Sequence, residues 1–177
     1  MLMSAHTDQR SLPAVEHWLL STLADARGRE VARRQWRELG AAMLPLGGVF
    51  SVVRLPARLV HAVAGSSAVG DVDAFLDQAL DGGPVISVLH GGARYYALVP
   101  ASVPRTWRDA AEEWQAVEVD CLGRGAYLGV PPPARVEFDA ETWASYWAVP
   151  VAAPGELCSP LAVARVIAAG THLTTCG

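Results

Sequence analysis

The sequence predicts an α+β domain, a mixed or antiparallel sheet of hairpins flanked by helices. Three observations predict it. Apolar residues recur at helical spacing before, between and after the strand-like runs. The strand-like runs come in pairs around glycine turns, at Gly47-Gly48, Gly91-Gly92 and Gly123 to Gly125. At 177 residues the chain is the size of one domain, residues 1–177, and long enough to bury a substantial core.

The elements follow in order. Ser11 to Ala26 reads as a helix with Pro13 in its first turn and Val15, Trp18, Leu19, Leu23 and Ala26 on one face. A second helix from Glu30 to Leu39 is expected to bury Val31, Trp36 and Leu39 and to end at Gly40. Its other side carries Arg29, Arg33, Arg34 and Arg37, a solvated stripe part-paired with Glu30 and Glu38. Ala41 to Leu46 and Val49 to Leu55 read as a buried hairpin. Pro56 opens a helix that Gly65 stops, and Asp71 caps the next one, through Leu80. Pro84 to Leu89 and Arg94 to Val99 form a second hairpin. Val103 to Gln115 is read as a loop with a helical turn, and Val117 to Leu122 with Tyr127 to Val130 as a third hairpin. Phe138 to Trp147 is expected to be helical, capped by Asp139. After a Pro/Gly-rich connector, a final helix spans residues 159–170 and the tail beyond Gly170 frays.

Composition excludes several classes. All fourteen basic residues are arginine, which with abundant Ala, Val, Gly and Pro marks a high-GC genome. A net charge of −4 argues against a strong binder of long nucleic acids, which shows a basic face. Residues 1–60 carry +3 and residues 61–177 carry −7, so a local basic patch remains open. Cys121, Cys158 and Cys176 are widely spaced with no C-x-x-C, against a disulfide framework or structural zinc. Met1 to Ser11 holds Asp8 and Arg10 and no apolar core of a signal peptide. The apolar stretch Ala41 to Val53 is broken by Pro45, Gly47 and Gly48 and is too short to span a bilayer. Together these predict a cytoplasmic protein with no membrane contact.

Three blocks carry a family signal. Trp36 lies on a helix followed by Leu44, Leu46, Gly47 and the strand Phe50 to Val53. Gly83-Pro84 leads to Gly91-Gly92, Arg94 and Tyr95-Tyr96. Asp120 is followed by Gly123, Gly125, Tyr127 and Pro131-Pro132. In this order the blocks resemble the bifunctional DNA primase/polymerase domains of the archaeo-eukaryotic primase superfamily, over residues 36–133. The resemblance implies a primase-polymerase-like fold, a DNA-replication setting, and catalysis by Mg²⁺ or Mn²⁺ held by an Asp-x-Asp or Asp-x-Glu pair and a further acid.

Here the acid pair falls on Arg54-Leu55-Pro56, and Arg94 takes the place of the family's histidine. Nucleotidyl transfer uses two hard cations ~4 Å apart. An arginine brings positive charge to a metal position, a proline offers no ligand, and Asp120 alone is one carboxylate. No shift of alignment restores the pair, because Gly40 to Gly70 contains no Asp or Glu. The reading is therefore a domain that has lost catalysis, with no metal ligands and no cofactor, acting as an accessory or regulatory protein. Asp120 is a relic acid, expected to be buried and paired with Arg54 or Arg94. A sharper version gathers Arg54, Arg94, Asp120 and the turn residues Gly91, Gly92, Gly123, Arg124 and Gly125 into a metal-free site for a nucleotide or other small phosphate ligand. The alternatives are an active nucleotidyltransferase and a protein–protein interaction module. A Cys121–His90 nucleophile pair is weighed and set aside for a core cysteine and a hairpin-tip histidine. Trp107 and Trp114 are expected to pack rather than to stack bases.

Overall fold

The structure is a computed structural model describing residues 11–176. The reading of residues 1–10 as free of an export signal lies outside the described residues. Helix α1 (Leu12–Leu20) buries Val15, Leu19 and Leu20. It ends at Leu20 and not at Ala26, because Asp25 is extended at φ −121° and caps a new helix, accepting from the Gly28 amide at 2.6 Å. That helix, α2 (Ala26–Leu39), buries Ala32 and Trp36, whose indole donates to the Val130 carbonyl at 2.9 Å. Val31 and Leu39, expected in the core, are exposed. They lie off the i, i+4 stripe that Ala32 and Trp36 define. In the arginine stripe, Arg33 pairs with Glu16 and Glu30, and Arg37 pairs with Glu30.

Every strand pairing is antiparallel. Strands β1 (Ala42–Pro45) and β6 (Tyr127–Val130) form a small two-stranded sheet. Strands β2 (Phe50–Pro56), β3 (Val85–Val88), β4 (Arg94–Pro100), β5 (Asp120–Leu122) and β7 (Tyr146–Val149) form the main sheet in the order β5-β2-β4-β3-β7. Of the three expected hairpins only β3–β4 forms. At Gly47 the amide bonds the Phe50 carbonyl and turns the chain out of one sheet into the other. β2 is buried on both faces along most of its length, so it needs two neighbours in a covered sheet. β1 alternates between buried and exposed positions, which suits a ribbon with one open face.

Helix α3 (Ala57–Ala64) ends at Gly65 in the left-handed conformation, as expected. Helix α4 (Val69–Ala79) begins two positions before Asp71, which lies in its first turn and accepts from Ser66 Oγ at 2.8 Å. The expected loop after β4 is instead helix α5 (Val103–Thr106) and helix α6 (Arg108–Trp114). The expected helix over Phe138 to Trp147 is a turn and then β7. Asp139 does accept from the Glu141 amide and the Thr142 hydroxyl, but these bonds close a local turn. Helix α7 (Pro160–Thr175) runs through Gly170 instead of stopping there.

The main sheet separates two cores. On one side α3, α4 and α7 pack on Val53, Leu55, Tyr95, Ala97, Val99 and Val85. On the other, α1, α2 and the small sheet pack on Phe50, Val52, Leu98, Ile86 and Trp147. Strand alternation sorts β4 between them: Tyr95, Ala97 and Val99 face the first core, and Tyr96 and Leu98 the second. Among the described residues no single helix is long and apolar enough to cross a membrane.

Candidate functional site

Three strands deliver the predicted site. In the register of the main sheet Arg54 lies opposite Asp120 on one side and Tyr96 on the other. Pro56 lies opposite Arg94. Arg54, Pro56, Arg94, Tyr96 and Asp120 therefore share the sheet face on which Val52, Leu98 and Leu122 continue into the second core. Arg54 and Arg94 are diagonal neighbours, about 7–8 Å apart at the backbone by sheet geometry.

The Arg54 guanidinium bonds the Asp120 carboxylate. The side chains are 41% and 34% exposed, so this is a half-exposed pair and not the buried one expected. Arg94 donates from Nε to the Tyr96 hydroxyl at 3.2 Å and from a terminal nitrogen to the Gly92 carbonyl at 3.3 Å. It has no carboxylate partner among the described residues. Two guanidinium groups against one carboxylate leave this face with an excess positive charge. Gly91 and Gly92, at φ +73° and +104°, form the open hairpin tip that leads into Arg94.

The remaining candidates lie elsewhere. β5 runs antiparallel to β2, so Gly123, Arg124 and Gly125 follow Leu122 toward the Phe50 end of β2, away from Arg54. Arg124 lies in the turn beyond Leu122, at the end of β5 opposite Asp120. A Cβ on Gly123 would meet Pro104 at 2.8 Å and Ser51 Oγ at 3.3 Å. The eight candidates thus divide between two ends of the sheet, because the Gly123 to Gly125 turn follows β5 at the end of that strand away from Asp120.

The two-metal arrangement that the resemblance implied does not fit this face. Arg54 presents a guanidinium, Pro56 offers no ligand, and the Asp120 carboxylate is engaged by Arg54. Among the described residues no three His, Cys, Asp or Glu side chains gather as metal ligands. Cys121 lies opposite Val53 and packs against the first core, where burial pushes its thiol up to about 11, far from an activated nucleophile. Trp107 stacks on Trp114 with ring centroids 6.4 Å apart, both packed against that core.

A second polar cluster, unanticipated from sequence, lies on the opposite sheet face. Tyr146, Ser87 and Tyr95 are neighbours across β7, β3 and β4. Asp73 of α4 accepts from the Tyr146 hydroxyl at 2.8 and 3.1 Å, and His61 Nε2 of α3 lies 2.8 Å from the Tyr95 hydroxyl. Ser87 Oγ is fully buried beside the Tyr146 hydroxyl and makes no hydrogen bond of ordinary geometry. Burial pushes the Asp73 carboxyl up to about 6, against the opposing pull of the Tyr146 hydrogen bond. The Tyr95 hydroxyl is pushed up to about 12 by burial and by the nearby Asp73 charge. Burial lowers the His61 imidazole below its ordinary value. These bonds pin α3 and α4 to the sheet. One sequence signal could have found Asp73: it lies three residues before Leu76 and seven before Leu80, on the apolar stripe of α4.

No protein-family model matches this chain, and no curated protein or solved structure matches it significantly.

Proposed function

We propose that this chain is a primase-polymerase-like domain that no longer transfers nucleotides and serves as a non-catalytic accessory or regulatory protein, binding a nucleotide or other small phosphate ligand without metal. One observation carries this reading. Arg54, Arg94 and Asp120, at the three positions where the resembled family has its acid, histidine and further acid, lie on one face of three adjacent strands, with Arg54 neutralising Asp120. A guanidinium at the metal position supplies fixed positive charge and bidentate donors, which suit a phosphate and not a cation. Arg94, without a carboxylate partner, is the group free to meet the anion, and Arg54 adds its remaining donors.

Two measurements test it. Primer synthesis and extension with Mg²⁺ or Mn²⁺ should give no product, and incorporation abolished by Asp120→Ala would overturn the loss of catalysis. Calorimetric titration of nucleoside triphosphates in EDTA should give weak saturable heat that Arg94→Ala removes. No heat at millimolar ligand would overturn the phosphate site.

A second reading, a protein-interaction module, has its own support. Met43 and Tyr127 are 51% and 64% exposed on the outer face of the β1–β6 ribbon, and Val31 and Leu39 are exposed on α2. This reading moves ahead if the calorimetric titration gives no heat and Tyr127→Glu abolishes a self-association seen by sedimentation.

A further inference from the structure

The turn after β5, displaced from the Asp120 face, does not stand alone. Arg124 and Arg105 line one depression of about 370 Å³ with Gly47, Ala101 and Pro104. The two arginines come from separate parts of the chain, the β5–β6 connection and helix α5. Among the described residues neither side chain makes an ion pair or a hydrogen bond. No carboxylate lines the depression. Elsewhere on the chain, Asp120, Glu118 and Glu112 are paired with Arg54, Arg58 and Arg108. Asp109 lines a second, neighbouring hollow that Arg105 also borders, and it makes no ion pair with Arg105.

The framework that presents these two cations is tightly built. Gly47 adopts φ +90°, and a Cβ there would lie 2.4 Å from the Arg124 amide nitrogen and 2.7 Å from its Cα. Only glycine admits the Arg124 backbone so closely. On the other wall, Gly123 lets Pro104, the residue before Arg105, approach within 2.8 Å of where its Cβ would be. Both arginines are thus rooted in backbone held by glycine contacts, while their guanidinium groups remain uncompensated. Both arginines are exposed, so their mutual repulsion is weak in water, and what favours an anion is two unpaired guanidinium groups lining one hollow. The planar fork of each guanidinium matches phosphoryl oxygens.

We propose that this depression is a phosphoryl-binding site, formed by Arg105 and Arg124 and separate from the Arg54–Arg94–Asp120 face. The phosphoryl group belongs either to a free nucleotide or to a nucleic-acid backbone, whose chemistry at the arginines is the same. The test uses the whole chain, ¹⁵N-labelled, titrated with inorganic phosphate at constant ionic strength while the arginine Nε–H signals are followed. Arg105 and Arg124 signals should shift together and saturate. Arg105→Ala and Arg124→Ala should each weaken binding about tenfold, as loss of one charge-assisted contact does. Arg94→Ala should leave it unchanged, so failure here and failure of the Arg94 site are read separately. ATP and a short oligothymidylate distinguish the source. Tighter binding of the oligonucleotide with steep salt dependence assigns a nucleic-acid backbone, and equal or tighter binding of ATP assigns a free nucleotide. Shifts that never saturate with any of the three probes, or a folded Arg105→Ala/Arg124→Ala variant that binds like the wild type, overturn the proposal.

Discussion

The Tyr146 hydroxyl, at the start of β7, reaches both carboxylate oxygens of Asp73 on α4, at 2.8 and 3.1 Å. This contact ties a helix to the sheet edge through a carboxyl group that burial holds up at about 6. The folded protein therefore takes up its proton at higher pH than the unfolded chain, for which the reference value is 3.8. The stability this group contributes is complete below that unfolded value and is lost as pH rises through about 6. After allowance for partial solvent screening, the loss is on the order of 2 kcal/mol. Urea unfolding at about pH 4 and about pH 8 brackets most of this window. Asp73→Asn keeps an acceptor for Tyr146 and should shrink the difference between the two pH values. An undiminished difference in the variant would assign the pH dependence to other groups.

The Arg54–Asp120 pair should matter little to stability. Both side chains are about a third or more exposed, at 41% and 34%, and exposed pairs are worth less than about 1 kcal/mol. The 3–5 kcal/mol expected for a buried pair does not apply. Asp120→Asn should lower the unfolding free energy by under about 1 kcal/mol. A double-mutant cycle with Arg54→Ala checks it, and a coupling energy of several kcal/mol would contradict the exposed geometry.

Gly170 is a packing glycine within α7. A Cβ there would meet Leu59 Cγ at 2.4 Å and the Leu59 carbonyl oxygen at 3.1 Å, and Leu59 is fully buried on α3. Gly170→Ala gains helix propensity of about 1 kcal/mol but forces α3 and α7 apart, at about 1–3 kcal/mol for overpacking. The net effect should be destabilising. Thermal unfolding should show a lower midpoint in Gly170→Ala, and a higher one would mean that α7 shifts freely against α3.

The three cysteines should react at very different rates. Cys176 is exposed, whereas burial pushes the Cys158 thiol up to about 12 and that of Cys121 up to about 11. At neutral pH a thiol-specific chromogenic reagent should modify one cysteine quickly, and mass mapping should place it at Cys176. The other two should react only on unfolding. Fast modification of Cys121 would show that β5 opens from the sheet edge.

Local chemistry in the sequence was enough for the α+β class, the helix that Gly65 terminates, and the β3–β4 hairpin. Each of these rests on neighbours in the chain: a left-handed cap, a glycine turn between two apolar runs. The same signals misled where pairing is nonlocal. Gly47-Gly48 and Gly123 to Gly125 are turns, but the strands flanking each belong to different sheets. Apolar runs do not name their partners, and β1 finds β6 more than eighty residues away. Asp139 carries a capping signal that a turn satisfies as well as a helix does, so β7 was hidden.

For the candidate site the division is similar. The resemblance alone suggests Arg54 or Arg94 as a partner for Asp120. That Arg54 and Asp120 bond each other, half-exposed, depends on β5 pairing with β2 in one register, since a slip of one residue would send Asp120 to the opposite face. Tertiary structure alone separates Arg124 from Asp120 and brings it beside Arg105. It alone assembles His61, Asp73, Ser87, Tyr95 and Tyr146 from five different elements. Composition and spacing set which charges the chain possesses, and long-range strand pairing decides which of them meet.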